Sequence, residues 1–151
     1  MLLTFATADD VFADYAAVLA WGAVVVVITI ITLGAANKGS PSEVKTSTAV
    51  KIGCFAYSLL LVASYRANYG SFIAADITPE AVRLSFAGSV YEPVVLQRLQ
   101  IKEVLIGYPG KGEPHSCYLK FVTASGDSYR SAPIAGTACK EQREQIQAIL
   151  N

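Results

Sequence analysis

The stretch Tyr15–Ala36, YAAVLAWGAVVVVITIITLGAA, decides how the rest of the chain is read. It runs 22 residues without a charge, and about 20 residues rising about 1.5 Å each cross a hydrocarbon core roughly 30 Å thick. Val24, Val25, Val26, Val27, Ile28, Ile30 and Ile31 make its centre apolar on every side. No polar face remains for a helix that lies on a membrane surface. A secretory signal would place Lys or Arg ahead of the apolar run, whereas Asp9, Asp10 and Asp14 stand there. The expectation is an integral membrane protein with a first span over residues 15–36.

Outward from that span, residues 1–14 form a short acidic tail. Its Leu2, Leu3, Phe5, Val11 and Phe12 suit a segment lying along the membrane interface, with Tyr15 and Trp21 near the headgroups. On the other side, Asn37–Ser42, NKGSPS, reads as a loop by its Gly, Pro and Ser. A second apolar run follows, IGCFAYSLLLVASY, with only 14 uncharged residues between Lys51 and Arg66. A snorkelling Lys51 extends it to a span over 46–66, of about 20 residues. Gly22 facing Gly53 and Ala56 would let two such helices approach closely as a hairpin over residues 15–69. The alternative for the second run is a re-entrant or core helix.

Beyond Arg66 the hydrophobic period becomes two. Ser71–Asp76 is a strand candidate, Thr78-Pro79-Glu80 a turn, and Ala81–Phe86 a strand with one wet face. Pro93 restricts the next strand to an edge. Leu96, Leu99, Ile101, Val104 and Ile106 suggest one or two strands bent near Lys102-Glu103. The loop Tyr108–His115 precedes Ser116–Thr123 and Asp127–Ile134, which flank a hairpin at Ala124-Ser125-Gly126. Thr137 caps a final helix that turns Cys139, Ile146, Ile149 and Leu150 to one face and Lys140, Glu141, Arg143 and Glu144 to water. Strands first and one helix last give residues 70–151 an α+β order.

Composition, 53% hydrophobic with 16% charged, suits a small soluble domain tied to a bilayer. Net charge is zero, with eight basic and eight acidic residues scattered from Gly70 onward, and nothing points to nucleic acid. The sharpest catalytic pairing is His115 with Cys117, beside Ser116 and with Glu113 as the nearest acid. No orienting acid is identifiable, and an exposed loop histidine is the simpler reading. YPGKGEPH lacks the GKS/T ending and following helix of a phosphate loop. Lys102, Lys111 and Lys120 are the residues that could converge on a lipid headgroup, against the plainer reading of a mixed-charge surface. Cys117 and Cys139 can pair only where their strand and helix meet in an oxidising compartment, while Cys54 reads as a small apolar residue. No spacing supports a zinc site. Expected catalytic, cofactor and metal residues are therefore none, and no cofactor is expected.

The pieces ITPEAVRLSF, LQIKEVLIG and GDSYRSAPIAGTACKEQREQIQAIL follow the order strand, strand, glycine hairpin, strand, capped helix. With two spans ahead of them, the layout resembles bacterial two-span membrane proteins with a pleckstrin-homology-like (PH-like) domain. It is similar to the photosystem I assembly protein family of cyanobacteria and chloroplasts. The resemblance implies a small antiparallel PH-like sheet or barrel capped by the C-terminal helix, without catalytic residues. It implies a bacterial inner membrane or a thylakoid.

The expected role is a non-enzymatic, membrane-anchored interaction protein that supports assembly or stability of a membrane complex, or of a homo-oligomer. The alternative is a lipid- or ligand-binding sensor on the same scaffold. A channel is disfavoured because neither span carries a mid-membrane ionisable residue. On sidedness two signals conflict. Lys38, Lys45 and Lys51 place the inter-span loop in the cytoplasm. The resemblance, together with unpaired cysteines, favours a cytoplasmic C-terminal domain, which is the expectation adopted.

Overall fold

Thr7 sets the start of the first helix. In the computed structural model, which describes residues 1–36, 46–88, 91–109 and 115–150, the Asp10 backbone N–H donates to Thr7 Oγ1 at 3.1 Å. Asp10 Oδ2 accepts in return from the Thr7 N–H at 2.9 Å and from its hydroxyl at 2.7 Å. This reciprocal cap satisfies donors that the first helical turn leaves over. The helix α1 then runs Ala8–Ala36 and α2 runs Thr46–Tyr69, each longer than the spans expected at 15–36 and 46–66. Windows of both, Ala8–Thr32 and Val50–Tyr69, are long and apolar enough to cross a membrane. The expected NKGSPS loop and Ser89 lie outside the described residues.

The chain divides into two compact units, Met1–Val11 with Asn68–Asn151, and Phe12–Ala67. The second is the helix pair. Tyr57 donates its hydroxyl to the Leu19 carbonyl at 3.2 Å, and Tyr15 and Tyr65 meet edge to face with centroids 5.9 Å apart. A side chain at Gly22 would overlap Leu60, and one at Gly53 would begin 3.2 Å from Ile30 Cδ1. Partners late in one helix match partners early in the other, so the pair is antiparallel. Thr29, Thr32 and Ser58 return their hydroxyls to carbonyls three or four residues back. Trp21, Val25, Ile28, Ile31, Phe55 and Leu59 are exposed on the pair's outer surface.

The first unit corrects the reading of the N-terminal tail. Leu2–Thr4 is a strand, β1, paired antiparallel with β2 (Phe72–Ile77) through Leu2↔Asp76, Leu3↔Ala75 and Thr4↔Ala74. Residues 1–14 are thus no separate interfacial tail, because β1 supplies the edge of a sheet whose other members lie beyond Arg66. Phe5 follows β1 into the core and meets Phe72 edge to face at 5.3 Å, while Phe72 tilts against Phe121 at 5.7 Å. These three rings join β1, β2 and β6.

Two antiparallel sheets enclose that core. The first has the order β1-β2-β3-β4, with β3 at Ala81–Phe86 and β4 at Val94–Gln97. The β2–β3 turn is closed by Thr78, whose N–H donates to the Ala81 carbonyl at 2.9 Å. The second has the order β5-β6-β7, formed by Ile101–Gly107, Ser116–Thr123 and Ser128–Arg130, with β8 (Ile134–Ala135) also on β6. The break between β4 and β5 is a 3₁₀ turn at Arg98–Gln100 rather than a bend at Lys102-Glu103; a register shift between Ile101 and Glu103 marks the expected place. Gly126 takes φ 95° in the β6–β7 turn, a left-handed conformation open to glycine. Ala132 N–H donates to the Phe72 carbonyl at 2.8 Å, linking the sheets.

The helix α3, Ala138–Leu150, packs on the second sheet with Cys139, Ile146 and Leu150 buried. Ile149 is half-buried against the core. Lys140, Glu141 and Glu144 face water as expected, whereas Arg143 is half-buried. Cys117 on β6 and Cys139 on α3 form a disulfide with their Cα atoms 6.2 Å apart, inside the usual range of about 4.4–6.8 Å. The architecture is α+β, with antiparallel sheets and three helices.

Candidate functional site

The chemistry proposed for His115 and Cys117 finds no support in the geometry. Cys117 is fully buried and its sulfur is bonded to Cys139, so it offers no thiolate. His115 is exposed, and its carbonyl is engaged by the Gly136 N–H at 3.2 Å. Glu113 and Lys111 lie outside the described residues. Among the described residues no group of three His, Cys, Asp or Glu side chains gathers where it could hold a metal ion.

Of the three lysines that could converge, the two among the described residues, Lys102 and Lys120, are spread along the sheet. Lys120 stands opposite Leu105 in the β5–β6 register, three residues along β5 from Lys102, with exposed Glu103 between. The neighbour of Lys120 across the sheet is instead Arg130 on β7. Arg130 lies over the Tyr118 ring, its Cζ 5.2 Å from the centroid. Tyr118 in turn covers Gly107, where any side chain would collide with the ring.

A cleft of about 350 Å³ opens between the sheets. One wall is β4 with the 3₁₀ turn, presenting Val94, Val95, Leu96, Leu99 and Gln100; the other is the β6–β7 hairpin, presenting Thr123 to Ser125, Asp127 and Tyr129. Both β4 and β7 are outermost in their sheets. Pro93, placed just before β4, has no N–H to give a ladder, which suits an edge. The 3₁₀ turn is held on three sides. Gln97 N–H donates to Gln100 Oε1 at 2.8 Å, Arg98 N–H to the Glu80 carbonyl at 2.7 Å, and Ala124 N–H to the Gln100 carbonyl at 2.8 Å. Arg98 Nε also donates to the Leu150 carbonyl, tying the turn to the end of α3.

The effect is to push Leu99 outward until it is 92% exposed, beside Val95 at 53%. The apolar series predicts Leu99 within one or two strands, whereas it lies in the 3₁₀ turn between β4 and β5. Only its flanks, Arg98 and Gln100, hinted at a polar turn. Opposite, Ser125 donates to Asp127 Oδ2 at 2.8 Å and lies 2.8 Å from the Thr123 hydroxyl, giving a polar lip with an exposed carboxylate. The cleft combines an outermost strand, an apolar rim and acceptor groups.

Fold and cleft together define an α+β domain with an outermost strand on the cleft, continuous in sequence with two helices long enough and apolar enough to cross a membrane. The chain matches no protein-family model, no curated protein and no solved structure.

Proposed function

We propose that this is a non-enzymatic, membrane-anchored interaction protein whose domain receives an extended segment of a partner and so supports assembly or stability of a membrane complex. The observation that carries the reading is the outermost place of β4 in its sheet, with no further strand on it among the described residues, beside exposed Leu99 and Val95. A soluble domain ordinarily blunts such an edge with charge or covers it. Left open beside an apolar rim, it suits strand addition, in which main-chain hydrogen bonds give affinity and alternate side chains fill the cleft.

Membrane anchoring is supported by the outer surface of the helix pair, where Trp21, Ile31 and Phe55 are each more than 60% exposed. Contiguous apolar surface of that extent is foreign to a water-facing protein. Connectivity adds to it. β1 precedes α1 and β2 follows α2 in one folded unit, so the helices cross together or not at all. The PH-like reading is supported by two antiparallel sheets with a C-terminal helix packed on the second. The similarity of layout to the photosystem I assembly family fits the same role. The lipid-sensor alternative draws on Lys120 and Arg130 side by side, two charges where a polybasic patch has several.

A photo-crosslinking amino acid at Leu99 of the full chain, in its native membrane, tests the interaction reading. A discrete heteromeric adduct is expected from position 99 and none from Leu2, an exposed residue of the opposite edge strand. Recovery of the free monomer alone from both positions would overturn it.

A further inference from the structure

We infer that the α+β domain lies on the non-cytoplasmic, oxidising face of the membrane, with the inter-helix connection in the cytoplasm and the Cys117–Cys139 bridge formed on that outer face. The inference rests on the membrane-anchored reading and adds its orientation.

Three observations converge on it. The first is the bridge itself, which joins a central strand to the capping helix, with both cysteines buried. Cytosolic thiols are kept reduced, whereas structural disulfides persist in periplasmic, luminal and extracellular spaces. The support that unpaired cysteines lent to a cytoplasmic domain is thereby removed.

The second is charge. Residues 38–51 carry Lys38, Lys45 and Lys51 against Glu43, whereas residues 1–37 carry no Lys or Arg. Basic residues near span ends stay in the cytoplasm. With Lys51 counted in the span, two lysines of the connection still face a single basic residue on the other side, Arg66.

The third makes the first two one argument. β1 pairs with β2, so the N-terminal segment and the domain share a side. The segment preceding α1 has no basic residue to hold it in the cytoplasm, and the domain must follow it. A PH-like outline does not contradict this, because a fold fixes neither function nor compartment.

The chemistry is thiol–disulfide exchange with a disulfide-bearing protein oxidant of that compartment. One cysteine thiolate attacks the oxidant's disulfide to give a mixed disulfide. The second cysteine displaces the oxidant, which leaves as a dithiol carrying both protons and both electrons. Cys117 and Cys139 have at most 1% exposure once folded. Exchange therefore precedes or accompanies the docking of α3 on the sheet.

The test uses the full chain expressed in a bacterial host, fused after Asn151 either to alkaline phosphatase or to green fluorescent protein. Carbonate washing of the membranes and acid-quenched maleimide–polyethylene glycol labelling of the denatured unfused chain complete it. The expected result is retention after carbonate, an active phosphatase, a dark fluorescent fusion, and one adduct per chain, at Cys54, rising to three after reduction. Retention with a bright fluorescent fusion and a silent phosphatase would overturn the orientation and leave the anchor standing. Three adducts without reduction would overturn the bridge and, with it, the oxidising face. Release by carbonate would overturn the anchor and the orientation together.

Discussion

Phe5→Ala tests whether the N-terminal segment belongs to the folded domain. Phe5 is 8% exposed and lies edge-on to Phe72, which itself has no exposure. Removing a buried phenyl ring costs about 3–5 kcal/mol, with about 0.5–1.5 kcal/mol of that from the ring pair. A domain of this kind is stable by about 5–15 kcal/mol, so the loss is a large share of the total. With a urea dependence of about 1–1.5 kcal/mol per molar, the midpoint falls by about 2–5 M. Pulse proteolysis of the detergent-solubilised full chain across a urea series reads that midpoint. Leu2→Ala, on the same strand but 68% exposed, is the control and is expected to cost about 0.5 kcal/mol or less. Equal midpoints for the two variants would refute the placement of β1 and Phe5 in the core and return the segment to the membrane interface.

Ile146→Asp puts an uncompensated carboxylate at a position with no exposure in α3 and is expected to cost more than about 4 kcal/mol. An unchanged melting temperature would mean that this face of the helix is not buried. A fragment beginning at Asn68 lacks β1 and Phe5, so it should melt lower than the domain of the full chain. A peptide of residues 1–7 added in trans should raise its melting temperature by several degrees, and no response would show that β1 contributes nothing. Reduction of the Cys117–Cys139 bridge, whose partners are 22 residues apart, removes a constraint worth about 3 kcal/mol. At about 4–8 °C per kcal/mol, melting should fall by about 12–24 °C. A fall under about 5 °C would show that the bridge constrains little.

Where a local pattern determined the structure, the sequence was legible. β3 and β6 fall at Ala81–Phe86 and Ser116–Thr123 as expected, because alternation of apolar and polar residues needs no knowledge of the partner strand. The α3 face of Cys139, Ile146 and Leu150 was legible for the same reason. Two features escaped. LLT at residues 2–4 is as consistent with a membrane interface as with a strand, and only β2, about seventy residues later, decides between them. Leu99 is apolar and sits in an apolar series, yet its surroundings are set by hydrogen bonds that the turn makes to the Glu80 carbonyl, from the Ala124 N–H and within itself to the Gln100 side chain. The cleft was illegible for that reason, since its walls come from separate sheets. The bridge was legible as a possibility, and pairing required the meeting of β6 and α3.

The pairing of β1 with β2 also sets a timetable. Leu2 is made before both long helices and its partner Asp76 after them. At synthesis rates of about 5–20 residues per second, roughly 4–15 s separate the two strands. A hairpin of adjacent strands needs only microseconds, so β2 and β3 can zip together as soon as they emerge. β1, the oldest strand, thus waits for its partner until both helices have been made. Both helices must therefore have found their places before the sheet can close, and until then β2 offers an unfilled edge to whatever strand is nearby.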